Sequence, residues 1–143
     1  MPEATSPIER YFHTGDGYNP FLVRPGWQVA QLNFTAILSL DRLEKVERHQ
    51  HTDEVFVLMR GRSVLIAAAE ESGRLRFTTQ PMEPFVTYNI PTGCWHWIVM
   101  EPGDLVLIVE KDRTHLGDVE YRPLQPAELA DLRSALANTG GSR

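Results

Sequence analysis

Apolar and polar residues alternate along most of this chain in short runs, and each run is closed by a turn signal. The stretch Trp27-Gln28-Val29-Ala30-Gln31-Leu32-Asn33-Phe34 alternates in part, and residues 36–40 are apolar. Residues 46–51 read as a short extended segment. Residues 54–59 are a β-branched and aromatic run stopped by Arg60-Gly61-Arg62, and residues 63–69 follow before a Glu-Glu-Ser-Gly turn at 70–73. Arg74-Leu75-Arg76-Phe77-Thr78 alternates, residues 85–90 and 96–100 read as two more strands, and Glu101-Pro102-Gly103-Asp104 is a turn ahead of an apolar run at 105–109, read as a fully buried strand. Strand-sized runs with turns about every 8–12 residues predict a sandwich or barrel of roughly eight or nine strands. Helical spacing occurs only near the end. Pro126 suits a first helical turn, Leu129, Leu132 and Leu136 recur at helical intervals, and Asn138 and Gly140 supply the stop. Residues 1–25 are rich in Pro, Gly and polar groups with Tyr11, Phe12, Tyr18 and Phe21 interspersed, which predicts an irregular arm packed on the domain or on a partner subunit. The expected organisation is therefore an arm at 1–25, an all-β barrel at 26–124 and a helix with a tail at 125–143, with no second domain.

Length and composition agree with one globular unit. The chain has 143 residues, 42% hydrophobic and 23% charged, enough for a full core. Net charge is −5, from 14 basic and 19 acidic residues, with no basic cluster, so nucleic acid is not an expected partner. Cys94 is the only cysteine, which excludes an internal disulfide and suits a reducing, cytoplasmic setting. The longest apolar runs are strand-sized, so no membrane helix is expected.

Two segments concentrate the chemistry. Glu47-Arg48-His49-Gln50-His51-Thr52-Asp53-Glu54 and Pro91-Thr92-Gly93-Cys94-Trp95-His96 contain three of the five histidines. Glu47, His49 and His51 fall on one face of an extended strand because side chains alternate. Glu54 and His96 each begin a later strand, and a closed barrel brings strand starts together. Imidazoles and carboxylates converging from neighbouring strands suit a divalent transition metal: Fe, Mn, Ni, Zn or Cu. The candidate ligands are Glu47, His49, His51, Glu54 and His96, with Glu47 and His51 competing for the fourth place. The bland alternative is that histidines near a turn are solvated surface groups. Phe56 shares parity with Glu54, and Ile98 and Met100 share parity with His96; with Tyr88 they are candidate cavity-lining, substrate-binding residues, or simple core. Trp95 and Trp97 flank His96 as stacking or packing groups. Cys94 reads as a small buried residue, and His13 and His115 as surface residues. Arg42, Arg48, Arg60 and Arg62 read as a solvated set at strand ends, one of which would suit a carboxylate or phosphate at a barrel mouth. No nucleophile elbow, phosphate loop or dinucleotide fingerprint is present.

At these residues the chain resembles the cupin superfamily of small jelly-roll barrels. Glu54 followed by six residues and Gly61 fits the end of the first cupin motif, and Pro91-Thr92-Gly93-Cys94-Trp95-His96 fits Pro-x-Gly-x-x-His of the second. Measured from His49 the spacing to Glu54 fits, which puts Glu47 at the position of the first histidine and His51 as an extra imidazole. Phe85 stands where a glycine is usual, and Met100 where an asparagine is frequent. The resemblance implies a single-domain jelly-roll β-barrel with a short C-terminal helix, a bound divalent transition metal and a small-molecule ligand. It also implies a homodimer, paired through edge strands and the aromatic arm. Metal-assisted isomerase or lyase chemistry on a small polar metabolite, a sugar or a carboxylate, is the leading expectation, with whichever of Glu47 and His51 is not a ligand as base. The alternatives are a metal-dependent dioxygenase and a binding cupin without turnover.

Overall fold

A computed structural model describes residues 6–140. It contains ten strands, β1 (Gly17–Arg24), β2 (Trp27–Asn33), β3 (Lys45–Arg48), β4 (Glu54–Arg60), β5 (Val64–Glu71), β6 (Arg74–Pro81), β7 (Thr87–Ile90), β8 (Trp95–Val99), β9 (Leu105–Glu110) and β10 (Glu120–Pro123), and the helix α1 (Pro126–Gly140). They form two five-stranded antiparallel sheets, in the orders β1-β2-β9-β4-β7 and β10-β3-β8-β5-β6. Two such sheets face to face make a jelly-roll barrel. Among the described residues no helix is long and apolar enough to cross a membrane.

Strand register layers the interior. Gln28 of β2, Glu110 of β9 and Glu54 of β4 lie opposite one another across three strands. The next inward row is Ala30, Ile108 and Phe56, and the row after that Leu32, Val106 and Leu58. All nine side chains are buried. One end of this sheet is therefore a polar row, and two apolar rows behind it carry the core. On the opposite sheet His96 pairs with Glu47 on one side and Ala67 on the other, so a second polar row faces the first.

Three expectations change. Gly17–Arg24 is not irregular: it pairs antiparallel with β2 as an edge strand. The arm before it packs on its own domain, with Tyr11 against Phe21 at a 5.8 Å ring separation and the Gln31 and Asn33 side-chain amides donating to the His13 carbonyl. The apolar stretch at 36–40 makes two short 3-10 turns, at Ala36–Leu38 and Leu40–Arg42. Residues 105–109 alternate rather than being buried throughout, and the strand runs on to Glu110. The helix runs through Asn138 to Gly140, the second of the two expected stop residues.

The motif glycine has a physical reason. Gly61 adopts φ +105°, and a Cβ there would lie 1.8 Å from Asp104 Oδ1. Asp104 cannot retreat, because it accepts the Arg62 and Glu101 backbone N–H groups and the Ser63 hydroxyl. Phe85, where the resemblance expects glycine, takes φ 70° and is 83% exposed, so the backbone keeps a left-handed turn there despite the side chain.

The helix is fastened by one carboxylate. Glu128 Oε1 accepts the Gln125 N–H at 2.8 Å, half of a capping box. Its Oε2 accepts the Leu75 N–H of β6 at 2.7 Å, and both oxygens meet Arg122. Leu132 and Leu136 continue the same buried stripe. Burial pushes the Glu128 carboxyl up, but Arg122 and the two backbone N–H groups outweigh it and hold it at about 2. A depressed folded pKa stabilises above the unfolded value, near 4.3, and the contribution is lost as pH falls toward about 2. Glu128→Gln is thus expected to cost on the order of 3 kcal/mol at pH 7, with the gap to the parent protein shrinking between pH 4 and pH 2. Urea titrations of both proteins at several pH values check this, and a gap independent of pH would refute it.

Candidate metal centre

The two motif turns are built on each other. After Arg48 the chain leaves strand geometry, and the Gln50 and His51 N–H groups both bond the Asp118 carboxylate. Gly93, with φ +80°, donates its N–H to the His49 carbonyl at 2.7 Å. Asp53 accepts from the Thr92 N–H and hydroxyl and from Asn89. These bonds fix where His49 and His96 begin.

Both imidazoles then aim at one atom. His49 Nε2 lies 2.7 Å and His96 Nε2 2.8 Å from Glu54 Oε2. Each Nδ1–H donates to a backbone carbonyl, that of Asp118 at 2.6 Å for His49 and that of Cys94 at 3.0 Å for His96. Glu47 Oε1 is 3.7 Å from His96 Nε2. Ligand atoms of Glu47, His49, Glu54 and His96 all lie within 4.8 Å of one another. This cluster of two imidazoles and two carboxylates is capable of coordinating a divalent transition metal. The donor chemistry fits: an imidazole whose Nδ1–H is held by a carbonyl presents an Nε2 lone pair, and two such lone pairs facing a carboxylate need positive charge between them.

The electrostatics state the same requirement in protons. Burial disfavours the Glu54 carboxylate, yet hydrogen bonds and charge from both histidines outweigh this and hold it at about 2. Burial likewise lowers His49, but Glu54 raises it to about 9, and His96 is raised by the same partner. Glu47 is pushed up by burial and by the Glu54 charge.

A cavity of about 270 Å³ opens beside the cluster. Phe56 and Ile98 line it, as parity predicts. Three other candidates lie outside its lining. His51 is exposed, because the Asp118 bonds twist the backbone after Arg48 and end the alternation that would have aimed it inward. Tyr88 sits on β7, the sheet edge, where it borders a different hollow with Leu65 and Ala67 and its hydroxyl accepts the Glu83 N–H. Met100 lies past the end of β8, four residues or about 13 Å along from His96, with its N–H on the Leu38 carbonyl.

Residues not singled out as site groups complete the cavity. Glu110 Oε1 accepts the Tyr18 hydroxyl and the Gln28 amide, and the Gln28 Nε2 also approaches His115 Nδ1 at 3.3 Å. Glu110 Oε2 lies 3.9 Å from His49 Nε2. Burial and the nearby Glu54 charge raise the Glu110 carboxyl to about 7, against the hydrogen bonds from Tyr18 and Gln28. Burial and Glu110 raise the Tyr18 phenol in turn. His115, expected as a surface residue, is exposed yet forms part of the cavity wall. None of Arg42, Arg48, Arg60 and Arg62 reaches the cavity; Arg48 pairs with Glu120 and lies 4.2 Å over the Trp95 ring.

No family model and no curated protein matches this chain. Similar solved structures include a cupin-2 domain containing protein from Shewanella frigidimarina, with 20% identity and a TM-score of 0.47 over 71% of this chain and 85% of that one. KdgF from Halomonas sp. aligns at 16% identity and 0.43 over 67% and 77%. An oxalate oxidase in complex with glycolate aligns at 12% and 0.47, over 66% of this chain but only 45% of that protein, so the match spans less than half of its length. Likeness at this level carries no argument about chemistry, which rests on the cluster.

In metal-free protein, Glu54→Gln is expected to bring the His49 pKa from about 9 back toward 6.5, since the raising partner is gone while burial remains. Imidazole NMR titration reads this directly; a His49 pKa still near 9 would show that Glu54 is not the partner.

Proposed function

We propose that this protein is a cupin-type metalloprotein that performs metal-assisted isomerase or lyase chemistry on a small polar metabolite. The observation that carries the reading is the convergence of two tautomer-fixed imidazoles on Glu54, with Glu47 beside them, at the wall of a cavity. Glu47, His49, Glu54 and His96 would hold the metal, which supplies Lewis-acid polarisation of a substrate oxygen. The other groups are the chain's own. Glu110 is a lining residue of the cavity, with Oε2 3.9 Å from His49 Nε2 and a carboxyl raised to about 7, a value suited to taking and returning a proton at neutral pH. Tyr18 and Gln28 hold its other oxygen and so set the direction of Oε2. Phe56, Ile98 and Ile108 exclude water from the far wall. Glu110 replaces His51 as the candidate base, because His51 points to solvent.

Elemental analysis of untagged protein is expected to find close to one equivalent of a transition metal, lost in the His49→Ala, His96→Ala double variant. No metal in either protein after reconstitution would overturn the reading.

The proposal includes a cytoplasmic setting, which the single cysteine suits, and a homodimer. Ile8, Phe12, Val23 and Trp27 are exposed apolar residues on the arm and the β1–β2 edge, a surface suited to a second copy. Sedimentation velocity is expected to show a dimer at micromolar concentration that a Phe12→Ser, Trp27→Ser variant dissociates; a monomeric parent protein would remove this part.

A further inference from the structure

Glu110 belongs to the cavity wall, yet both of its oxygens are enclosed by protein. Oε2 is buried and has no hydrogen-bond partner among the described residues. Oε1 accepts two donors, the Tyr18 hydroxyl at 2.5 Å and the Gln28 amide at 3.0 Å. A carboxyl enclosed in this way meets a bound molecule through a group that is hydrogen-bonded to it. Gln28 does not meet that need. It is fully buried, it does not line the cavity, and a carboxamide neither gives nor takes a proton at neutral pH. Tyr18 does: it is half-buried and lines the cavity.

Register and hydrogen bonds fix the phenol. Tyr18 lies on the edge strand β1 opposite Leu32, in the apolar row of the sheet. Its hydroxyl nonetheless reaches Gln28 and Glu110, which pair with each other in the polar row. The ring therefore runs along the wall from one row to the other. Gln28 is oriented in turn, because its Oε1 accepts the Arg113 N–H at 2.8 Å. That leaves its NH₂ for Tyr18 Oη at 2.9 Å and for Glu110. The Tyr18 hydroxyl thus donates to Glu110, accepts once from Gln28, and keeps one lone pair unspent. Burial and the Glu110 charge raise the phenol, so it is protonated at rest.

We propose that Tyr18 is a catalytic residue that carries protons between the cavity and Glu110. The proposal rests on the reading of Glu110 as the base and adds the route to it. A C–H or O–H bond of the bound molecule breaks, and its proton bonds to Tyr18 Oη. The Tyr18 O–H bond breaks in the same step, and that proton bonds to Glu110 Oε1. The bound molecule keeps the electron pair, Glu110 passes from carboxylate to neutral acid, and Tyr18 ends as the neutral phenol it was. Proton return follows the same path in reverse.

Hydroxyacetone is a suitable probe, since the carbonyl acidifies its neighbouring C–H bonds. Zinc-reconstituted protein is incubated with it in D₂O, and loss of its α-proton NMR signal gives the exchange rate, with metal content measured on every sample. The parent protein is expected to exchange these protons on the order of 10⁴-fold faster than buffer, and Tyr18→Phe and Glu110→Gln each about a hundredfold slower than the parent, the share of one general base. The two groups act in series, so the double variant is expected to match the single ones. A structural role for Tyr18 would instead multiply the two losses. A second readout needs neither metal nor turnover. In metal-free parent protein the Tyr18 hydroxyl proton is expected as a downfield NMR resonance, moved upfield in Glu110→Gln, where a neutral amide replaces the charged acceptor, and lost in Tyr18→Phe.

Parent-like exchange in Tyr18→Phe, with Glu110→Gln impaired, would overturn the relay and leave Glu110 as a direct base. Multiplied losses in the double variant, or no downfield hydroxyl resonance in the parent, would also overturn it. No exchange by the zinc-loaded parent would sink the isomerase or lyase reading and the relay with it. Exchange that behaves as expected in protein holding no metal would sink the metal-assisted reading alone and leave the relay standing.

Discussion

Glu54 Oε2 is the point on which the site closes. It is the first inward position of β4, and two imidazoles from separate turns reach the same oxygen. Neither histidine could be placed by its strand alone. His49 lies past the end of β3, where Asp118 holds both the turn and the ring, the first through its carboxylate and the second through its carbonyl. His96 follows the Gly93 turn, whose N–H is bonded to His49 itself. Strand pairing supplies the floor of the site, and loop hydrogen bonds supply its aim. Gly93, left-handed, lets the second turn dock on the first, whereas Gly61, past the far end of β4 from Glu54, lets Asp104 pack against its backbone.

Much of this was open to reading in the sequence, for a definable reason. Alternation in β6 and the β-branched and apolar runs of β4 and β9 are strong, so the existence of these strands follows from the pattern, and the shared parity of Phe56 with Glu54 and of Ile98 with His96 follows from period two. What escaped was set by contacts distant in sequence. β1 has two prolines' worth of turn signal around it, yet pairing with β2 overrides the local preference. His51 has the parity of Glu47, and only Asp118, far along the chain, shows that the strand ends first. Tyr88 and Met100 carry the right side chains at the wrong places, one on an edge strand and one beyond a strand end. Glu110 is different, because its signal was present: it continues the parity of Val106 and Ile108. Ending that strand at Val109 hid the one carboxyl that shares the cavity with the ligand cluster. Gln28 has the same parity with Ala30 and Leu32.

The same register explains why the fold tolerates so polar an end. Burying carboxylates and imidazoles costs several kcal/mol for each ion unless partners are built in. Here the polar residues occupy matched rows across strands, so each finds a partner on the neighbouring strand or the facing sheet, and the two apolar rows behind them carry the core. The helix repeats this solution on the outside, with Glu128 buried only because Arg122 and two backbone N–H groups meet it.

Charge then limits what the site can be. The cluster has two carboxylates, Glu47 and Glu54, and two imidazoles, and Glu110 adds a third carboxyl close by. No Lys or Arg lines the cavity to balance them. The required positive charge comes from protons on His49 and His96, both of which Glu54 holds above the usual imidazole range, or from one divalent cation that takes the place of those protons. The two states carry equal charge, and the Nδ1–H bonds to the Asp118 and Cys94 carbonyls suit both. A second anionic ligand would also lower the net charge of a cation held here relative to a site with three imidazoles. Glu110 is then the one carboxyl that lines the cavity but stands outside the cluster.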